Sequence, residues 1–359
     1  MTRYRGTYAK IYVEHIRKNV EKIINQYHDY SYYMGVVKAD CYGHLNDKCI
    51  QAMIQGGINF LCVSSLEEAL MIRKNFQEIP ILCFGVVSVD ALCECVKHDI
   101  RITIVSEEYV DEILQNKDNL DLANLKVHIK LDTGMNRLGI KEKEEFIHVL
   151  DKISNTPISL EGIYTHIANA SDQKGTKMQF RKFDELLEKV DLNKIKIIHV
   201  PNSQTLVSYE KIPYVNGFRI GILMYGFSDS QNLPLQSTFS VVSQIVQIKV
   251  LKKGEKVGYD GAYQATKKEK IGIVSIGYAD GIPRSMTGNM VYIHGKEYQI
   301  VGKICMDMLM VKVDEQVKLY DEVMIFKDKE HMKKIAQNLG TIPYELLCDI
   351  SKRVVREYV

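Results

Sequence analysis

Short apolar runs rich in β-branched residues recur along the chain as far as Gly226. The eight clearest are "MGVVKA" at Met34, "INFLCVS" at Ile58, "IPILCFGV" at Ile79, "IRITIVS" at Ile100, "LKVHIKLDT" at Leu125, "ISLEGIYTHI" at Ile158, "IKIIHVPNS" at Ile195 and "FRIGILMYG" at Phe218. Amphipathic segments such as "SLEEALMIRKNF" and "KMQFRKFDELLEKV" lie between several of them. Ser65 followed by Glu68 predicts a capping box at the start of one of these helices. The pattern predicts strands and helices in alternation.

Continuous apolar strands that alternate with helices are typical of a parallel sheet covered on both faces. About eight such strands, at a spacing of roughly 20–30 residues, match a (β/α)8 TIM barrel. An open doubly wound sheet remains the alternative, because a strand number read from one sequence is uncertain by about one or two.

Past Gly226 the pattern changes, starting with the polar and turn-rich stretch "FSDSQNLPLQ". The segments that follow, such as "TFSVVSQIVQIKVLKKGEKVGYDGAY", indicate strands separated by glycine turns. One short helix, "HMKKIAQNLG", is predicted near the end. We therefore expect an α/β protein with a (β/α)8 barrel over residues 1–231 and a mainly β domain over residues 232–359.

Composition limits the possible partners. The 359 residues are 46% hydrophobic and 26% charged, as in globular proteins, and 47 basic against 45 acidic residues leave a formal net charge of +2. Neither nucleic acid nor an anionic membrane is therefore implied as a partner. Because no apolar run reaches transmembrane length and the first residues lack a signal-peptide core, we expect a cytoplasmic protein. The eight cysteines lie mostly in apolar segments without zinc-ligand spacing, which predicts buried thiols and no metal site.

Polar and titratable residues gather where the apolar runs stop. They are Lys38, Arg137, His166, Asn202 with Ser203, and Arg219 leading into Gly221. Since the carboxyl ends of barrel strands face the active site, these residues are candidates for one shared site. Taken singly, each also has a structural interpretation, such as a snorkelling lysine or a satisfied core histidine. The sequence lacks G-x-S-x-G, P-loop and H-E-x-x-H motifs, which argues against the commonest hydrolase, nucleotidase and zinc peptidase classes.

Lys38 suggests a specific chemistry, because a partly desolvated amine at a strand end can form a Schiff base with an aldehyde. Ser203 and the backbone N–H groups of Gly221 and Ile222 offer a phosphate site. Pyridoxal 5′-phosphate (PLP) has both an aldehyde and a phosphate, and its ring nitrogen would face an arginine or an acid. We therefore expect PLP as the cofactor.

Seven ordered motifs between about Arg5 and Arg356 carry a resemblance to a known family. They are "VVKADCYGH", "LDTGMNRLG", "GIYTHIANA", "FRIGILMYG", "VGYDGAY", "SIGYADGIPR" and "GKICMDMLMV". On these motifs the sequence resembles bacterial alanine racemases, fold-type III enzymes that join a barrel to a β domain and bind PLP. The resemblance implies interconversion of L- and D-alanine, which supplies D-alanine for peptidoglycan.

The resemblance implies two catalytic bases, Lys38, which also carries the cofactor, and Tyr259 on the opposite face of the substrate Cα. Racemisation requires this arrangement, because a proton removed from one face must be replaced from the other. Arg219 is implied at the ring nitrogen, and it forms with His166 the start of a network that serves the tyrosine.

The resemblance also implies binding roles. Phosphate contacts are implied for Tyr42, Ser203, Gly221 and Ile222. Arg137 and the backbone N–H of Met306 are implied to bind the substrate carboxylate. Tyr278 and Arg284 are implied to line an entrance that admits small amino acids, and Lys130 is implied to carry a carbamylated side chain. Family geometry implies a homodimer with shared active sites, in which Tyr259 and Met306 reach the barrel of the other subunit.

Lys352 departs from the family pattern. It lies in "CDISKRVV", where the family usually has a tyrosine that lines the pocket and reaches toward the phosphate. An ammonium there could bind phosphate, and the missing ring could admit a hydroxymethyl group. A serine or dual serine/alanine racemase of the vancomycin-resistance type is therefore the first alternative. A PLP-binding homeostasis protein would lack a β domain with "VGYDGAY", and a fold-type III decarboxylase would ordinarily have an acid in place of Arg219.

Overall fold

A computed structural model describes residues 4–45, 47–228 and 230–359 of the chain. Within these residues, eight parallel strands close into a barrel in sequence order, from β2 to β9. The first strand of the chain and the barrel strands are β1 Tyr8–Ile11, β2 Tyr32–Val36, β3 Phe60–Val63, β4 Ile81–Cys83, β5 Ile100–Ile104, β6 Lys126–Lys130, β7 Ser159–Tyr164, β8 Ile197–His199 and β9 Gly217–Ile220. Closure is completed by β9 and β2, where Gly217 lies opposite Tyr32. The predicted (β/α)8 barrel is confirmed, and the open doubly wound sheet is excluded.

Helices follow the barrel strands, and the longer ones cover the outside of the barrel. They are α1 Val13–Gln26, α2 Lys38–Tyr42, α3 Asp47–Gln55, α4 Leu66–Arg73, α5 Leu92–Lys97, α6 Glu107–Gln115, α7 Lys143–Ser154, α8 Gln173–Leu187 and α9 Ser203–Ser208. Helix α1 buries Ile16, Val20 and Ile23, which lie on one face at helical spacing. Every residue of β5 is buried, because the core lies on one side of the strand and helices lie on the other. Across the described residues, no helix is both long enough and apolar enough to cross a bilayer.

Ser65 caps α4, because its hydroxyl accepts the N–H of Glu68 at 3.4 Å. The second half of the predicted capping box is wrong. The Glu68 carboxylate accepts the backbone N–H groups of Ser64 and Ala39 in place of the N–H of Ser65. Glu68 therefore connects the start of α4 to the residue that follows Lys38.

The second domain is mainly β, as predicted. Its elements are β10 Phe239–Leu251, β11 Lys256–Val257, β12 Tyr263–Gln264, β13 Glu269–Val274, β14 Met290–Ile293, β15 Lys296–Gln299, β16 Leu309–Val313, β17 Glu322–Phe326, α10 Lys329–Leu339, α11 Pro343–Asp349 and β18 Val355–Tyr358. Short 3-10 turns span Val89–Ala91, Lys117–Asn119, Leu122–Asn124, Leu192–Lys194, Tyr259–Gly261, Tyr278–Asp280 and Arg284–Met286. The predicted helix near the end is α10, whereas α11 was not predicted and spans only seven residues.

The N-terminal strand β1 belongs to the sheet of the second domain. Tyr8 pairs antiparallel with Val242 of β10 and parallel with Val355 of β18. The first strand of the chain therefore lies outside the barrel that follows it. The division between residues 231 and 232 stays a prediction, and β1 crosses it.

Candidate active site

A cavity of about 710 Å³ opens at the carboxyl ends of the barrel strands. It is lined by most of the side chains that the sequence predicted for a cofactor site: Lys38, Tyr42, Arg137, His166, Ser203, Arg219, Gly221 and Ile222. These residues come from five segments spread over the barrel sequence. Their convergence at one end follows from the parallel direction of the strands.

Lys38 follows β2 with one residue, Val37, between them, and is half-buried at the cavity wall. The four residues after it have left-handed backbone angles, with φ of 51° at Ala39, 53° at Asp40, 55° at Cys41 and 53° at Tyr42. L-residues disfavour this region, so the turn needs support from its surroundings. Part of that support is the bond from the Ala39 N–H to Glu68 Oε1 at 2.7 Å.

Three of the residues predicted to hold a phosphate, Ser203, Gly221 and Tyr42, lie close together. The hydroxyl of buried Ser203 accepts the N–H of Gly221 at 3.1 Å. A Cβ added to Gly221 would lie 2.3 Å from the Tyr42 hydroxyl oxygen, so no larger residue fits without moving that tyrosine. The Tyr42 ring is fixed against Tyr225, with 4.8 Å between ring centroids.

Arg219 crosses the floor of the cavity and is only 3% exposed. Its Nη1 donates to the carbonyl oxygen of His199 at 2.7 Å and to Nδ1 of the same residue at 2.8 Å. Its Nη2 donates to the carbonyl oxygens of Thr165 at 2.7 Å and Val200 at 3.0 Å, and lies 3.3 Å from His166 Nδ1. Among the described residues, the Nε–H of Arg219 has no hydrogen-bond partner. One donor is thus left for a group in the cavity.

His166 lies beside this guanidinium. Burial, with the neighbouring cations Arg219 and Lys130, lowers the pKa of His166 to about 3. The ring is therefore neutral near pH 7, and its Nδ1 faces a donor of Arg219. The hydrogen of the neutral ring is then on Nε2, where it can be donated to a substrate or a base.

Tyr164 is a site residue that sequence reasoning missed. Its ring stacks on His199, with 4.5 Å between centroids and 12° between planes, and the guanidinium carbon of Arg219 lies 5.2 Å from the ring centroid. The available signal was the two-residue spacing from His166, which places both on the same side of the chain as it leaves β7. Further cavity residues that were not predicted are Ser64, Phe84, Gly85, Leu138, Gln204, Tyr344 and Cys348.

The loop that carries Arg137 is organised by Asp132. One carboxylate oxygen of this buried residue accepts the backbone N–H groups of Gly134 at 3.0 Å, Met135 at 2.9 Å and Asn136 at 3.0 Å. Three charge-assisted bonds to consecutive N–H groups fix the turn, and Arg137 follows it at the cavity edge.

Lys130 is buried behind Arg137. Desolvation, and then the positive charge of Arg219, lower the pKa of Lys130 to about 8. Its amine donates to the carbonyl oxygen of Leu131 at 3.1 Å. Lys130 is therefore mostly an ammonium at pH 7 and loses its proton in a lower pH range than an exposed lysine does.

Five predicted residues do not line the barrel cavity of this single chain. One of them, Arg284, is exposed at the start of a 3-10 turn. Tyr259 and Met306 line a second cavity of about 750 Å³ in the β domain, and they are 65% and 52% exposed. Tyr278 is 43% exposed, and its backbone N–H donates to the carbonyl oxygen of Cys305. Lys352 lines neither cavity, and its ammonium lies 3.2 Å from Asp40 Oδ2.

Two family models match almost the whole chain. The model described as "Alanine racemase, N-terminal domain" matches residues 11–229, and "Alanine racemase, C-terminal domain" matches residues 238–358. Alanine racemase 1 of Bacillus subtilis is 34% identical, in an alignment that covers 99% of this chain and 94% of the relative. Alanine racemase of Staphylococcus saprophyticus is 33% identical, in an alignment that covers 99% of this chain and 95% of the relative.

Solved structures give the same result. The crystal structure of alanine racemase from Bacillus anthracis with bound L-Ala-P superimposes with a TM-score of 0.92 at 30% identity, over 100% of this chain and 96% of that one. The alanine racemase structure from E. faecalis also has a TM-score of 0.92, at 32% identity and with 99% of both chains covered.

Proposed function

This chain belongs to the alanine racemase family, and from that premise we propose that its barrel cavity holds PLP on Lys38 and exchanges the α-proton of alanine. Family membership makes the chain an isomerase that interconverts L- and D-alanine. The observation that carries the proposal is the convergence of Lys38, Ser203 and Arg219 in one cavity. The match to the C-terminal domain model also argues against a PLP-binding homeostasis protein, which would lack that domain.

The donor set of the cavity fits PLP. Lys38 supplies the amine for the aldehyde, and the unpaired Nε–H of Arg219 is available for the ring nitrogen. Tyr42, Ser203, Gly221 and Ile222 line the space that we assign to the phosphate. When bound, PLP supplies the electron sink that makes the α-proton of an amino acid acidic.

The remaining chemistry is proton transfer on two faces of the substrate Cα. We assign one face to the amine of Lys38 and the other to the phenol of Tyr259, since a single base would return the proton to the face it came from. Neutral His166, with its hydrogen on Nε2, can donate to the phenol oxygen and so favour the phenolate. The substrate carboxylate is assigned to Arg137 and the backbone N–H of Met306.

The position of Tyr259 supports a homodimer with shared sites. In one chain Tyr259 and Met306 line a cavity separate from the one that contains Lys38. Both are unusually exposed for their type, as is Met308 at 46%, so they form an apolar patch that a second copy can cover. We propose that this patch caps the barrel of the partner, and that Tyr278 and Arg284 narrow the resulting entrance to small amino acids.

Turnover of each alanine enantiomer by the purified protein with PLP tests the activity. We expect both enantiomers to reach the same final mixture, and Lys38→Ala to lose both turnover and the visible absorbance band of lysine-bound PLP. A band that survives Lys38→Ala would place the cofactor elsewhere.

Mixing two inactive variants tests the shared site. Lys38→Ala and Tyr259→Phe each damage every site of their own homodimer. A mixed dimer with shared sites has one site that contains both defects and one intact site. Random reassociation of equal amounts makes about half of the dimers mixed, and each mixed dimer has one intact site of its two. Activity should therefore return to about a quarter of the wild-type value. A mixture that stays inactive, although the subunits have exchanged, would contradict sharing.

Two further parts of the proposal rest on the sequence. Eight cysteines in mostly apolar segments favour a reducing compartment, so we propose the cytoplasm, where D-alanine would be supplied for peptidoglycan. Serine is the second candidate substrate because Lys352 replaces the usual tyrosine. The contribution of Lys352 to phosphate binding stays a prediction.

We also propose residues 1–231 and 232–359 as the two functional units, with β1 crossing between them.

A further inference from the structure

A polar chain runs from the cavity floor into the barrel interior. It starts at Arg219, whose Nη1 contacts His199 Nδ1 at 2.8 Å, and His199 Nε2 contacts His128 Nδ1 at 2.9 Å. His128 Nε2 then lies 3.3 Å from Glu161 Oε2. The two imidazoles are 0% exposed and do not line the cavity, so they contact neither substrate nor cofactor.

Glu161 is held as a carboxylate at the far end of the chain. Arg101 Nε lies 2.9 Å from its Oε2, and Lys196 Nζ lies 3.2 Å from its Oε1. The hydrogen bond from His128 and the charge of Arg101 outweigh the cost of burial, so the pKa of Glu161 is lowered. An ionised carboxylate can only accept hydrogen bonds.

The two ends of the chain permit one set of imidazole tautomers. Arg219 can only donate, so His199 Nδ1 must be an acceptor and its hydrogen must be on Nε2. Glu161 can only accept, so His128 must have its hydrogen on Nε2 and an acceptor at Nδ1. These assignments agree at the contact between the rings, where His199 donates and His128 accepts. A charged imidazole at either position would bring two donors together.

We propose that Glu161 is a positioning residue that fixes the tautomers of His128 and His199 and thereby holds Arg219 for the cofactor ring. With the opposite tautomers, His199 Nδ1–H would face an N–H of Arg219 at 2.8 Å, and the guanidinium would have to move. The Nε–H of Arg219, which we assign to the cofactor ring, would move with it. This inference rests on the proposed function only for the last step, from Arg219 to the cofactor.

Imidazole ¹⁵N chemical shifts of histidine-labelled protein test the tautomers directly, with or without PLP. We assign the signals with His128→Gln and His199→Gln. In the wild-type protein, Nδ1 of both residues should give the shift of an unprotonated nitrogen. A protonated Nδ1 on either residue overturns the proposal, and this measurement needs no variant of Glu161.

A matched pair of variants separates the acceptor from the charge. Glu161→Gln keeps an oxygen that can accept from His128, whereas Glu161→Met has a similar length and no acceptor at that point. We expect Glu161→Gln to keep the wild-type shifts and Glu161→Met to show mixed tautomers, with kcat about 10-fold lower and KM for alanine unchanged. Asp99→Asn is the control, because it removes the other carboxylate partner of Arg101 without contacting the histidines.

If Glu161→Gln, Glu161→Met and Asp99→Asn all gave the same imidazole ¹⁵N chemical shifts, the proposal would be overturned. Any change of charge or packing would then have the same effect on the tautomers as the loss of the acceptor. The proposed function fails in a different way. If the tautomers are as stated but wild-type protein with PLP does not racemise alanine, then the assignment of the cavity is wrong and the tautomer chain stands.

Discussion

The carboxylate of Glu68 accepts the backbone N–H of Ala39, the residue after Lys38, with 2.7 Å between oxygen and nitrogen. Its other oxygen accepts the N–H of Ser64 at 2.8 Å, after the end of the neighbouring strand β3. Ala39 begins the left-handed turn, so one side chain fixes both the start of this turn and its distance from β3. The direction of the Lys38 side chain depends on that turn.

Glu68→Ala should weaken PLP binding and reduce the free energy of unfolding by about 1–2 kcal/mol, because two charge-assisted hydrogen bonds are lost. Urea unfolding and a PLP titration of the apoprotein measure the two effects. Glu67→Ala is the matched control, since this exposed neighbour lies on the same first turn of α4. If both variants bound PLP equally well, Glu68 would have no role in orienting Lys38.

The burial of Lys130 predicts a pH dependence of stability. Its pKa is about 8 in the folded protein, against 10.5 in an unfolded chain. Between these pH values the unfolded chain binds more protons than the folded protein does. The free energy of unfolding therefore rises as the pH increases from about 8 to about 10.5. Below pH 8 the folded protein bears the full cost of burying the ammonium.

Lys130→Met should therefore be more stable than the wild-type protein at pH 7, by up to about 3 kcal/mol, and the difference should shrink toward pH 10.5. Urea unfolding at several pH values in buffer free of carbon dioxide provides the comparison. Lys126→Met, on the same strand but half-buried beside Asp99, is the control. Parallel stability curves for Lys130→Met and wild type would mean that Lys130 is not the titrating group.

Much of the barrel could be predicted because its strands are short, apolar and separated by helices, and most of the predicted cavity residues lie at or just after the end of a run. The strand β1 could not be assigned to the second sheet, because its partners Val242 and Val355 are distant in sequence. Tyr164 was missed for a different reason. A tyrosine in an apolar run is ordinarily a core residue, and only the stacked His199 and the adjacent guanidinium identify it as part of the site floor.

Lys352 and Asp40 form an ion pair, with 3.2 Å between Nζ and Oδ2, outside the cavity lining. Lys352→Tyr should lower the ratio of serine to alanine turnover, because an added ring that folds toward the cavity would reduce the space for a hydroxymethyl group. Racemase assays with both amino acids measure the ratio. Asp40→Asn is the control, since it removes the ion pair and keeps the lysine. A ratio that is unchanged in Lys352→Tyr would exclude this position as a selector.

Gly221 and Tyr42 allow a test of the phosphate site by steric substitution. A Cβ at position 221 would lie 2.3 Å from the Tyr42 hydroxyl oxygen and 2.9 Å from its Cζ. Gly221→Ala should therefore displace Tyr42 and weaken PLP binding, which an equilibrium titration measures. Tyr42→Phe removes the nearer atom and leaves the ring carbon in place. Adding Tyr42→Phe to Gly221→Ala should therefore recover part of the lost affinity, although Tyr42→Phe alone weakens binding. If the two losses simply add, the substituted residues act independently and the close contact does not shape the site.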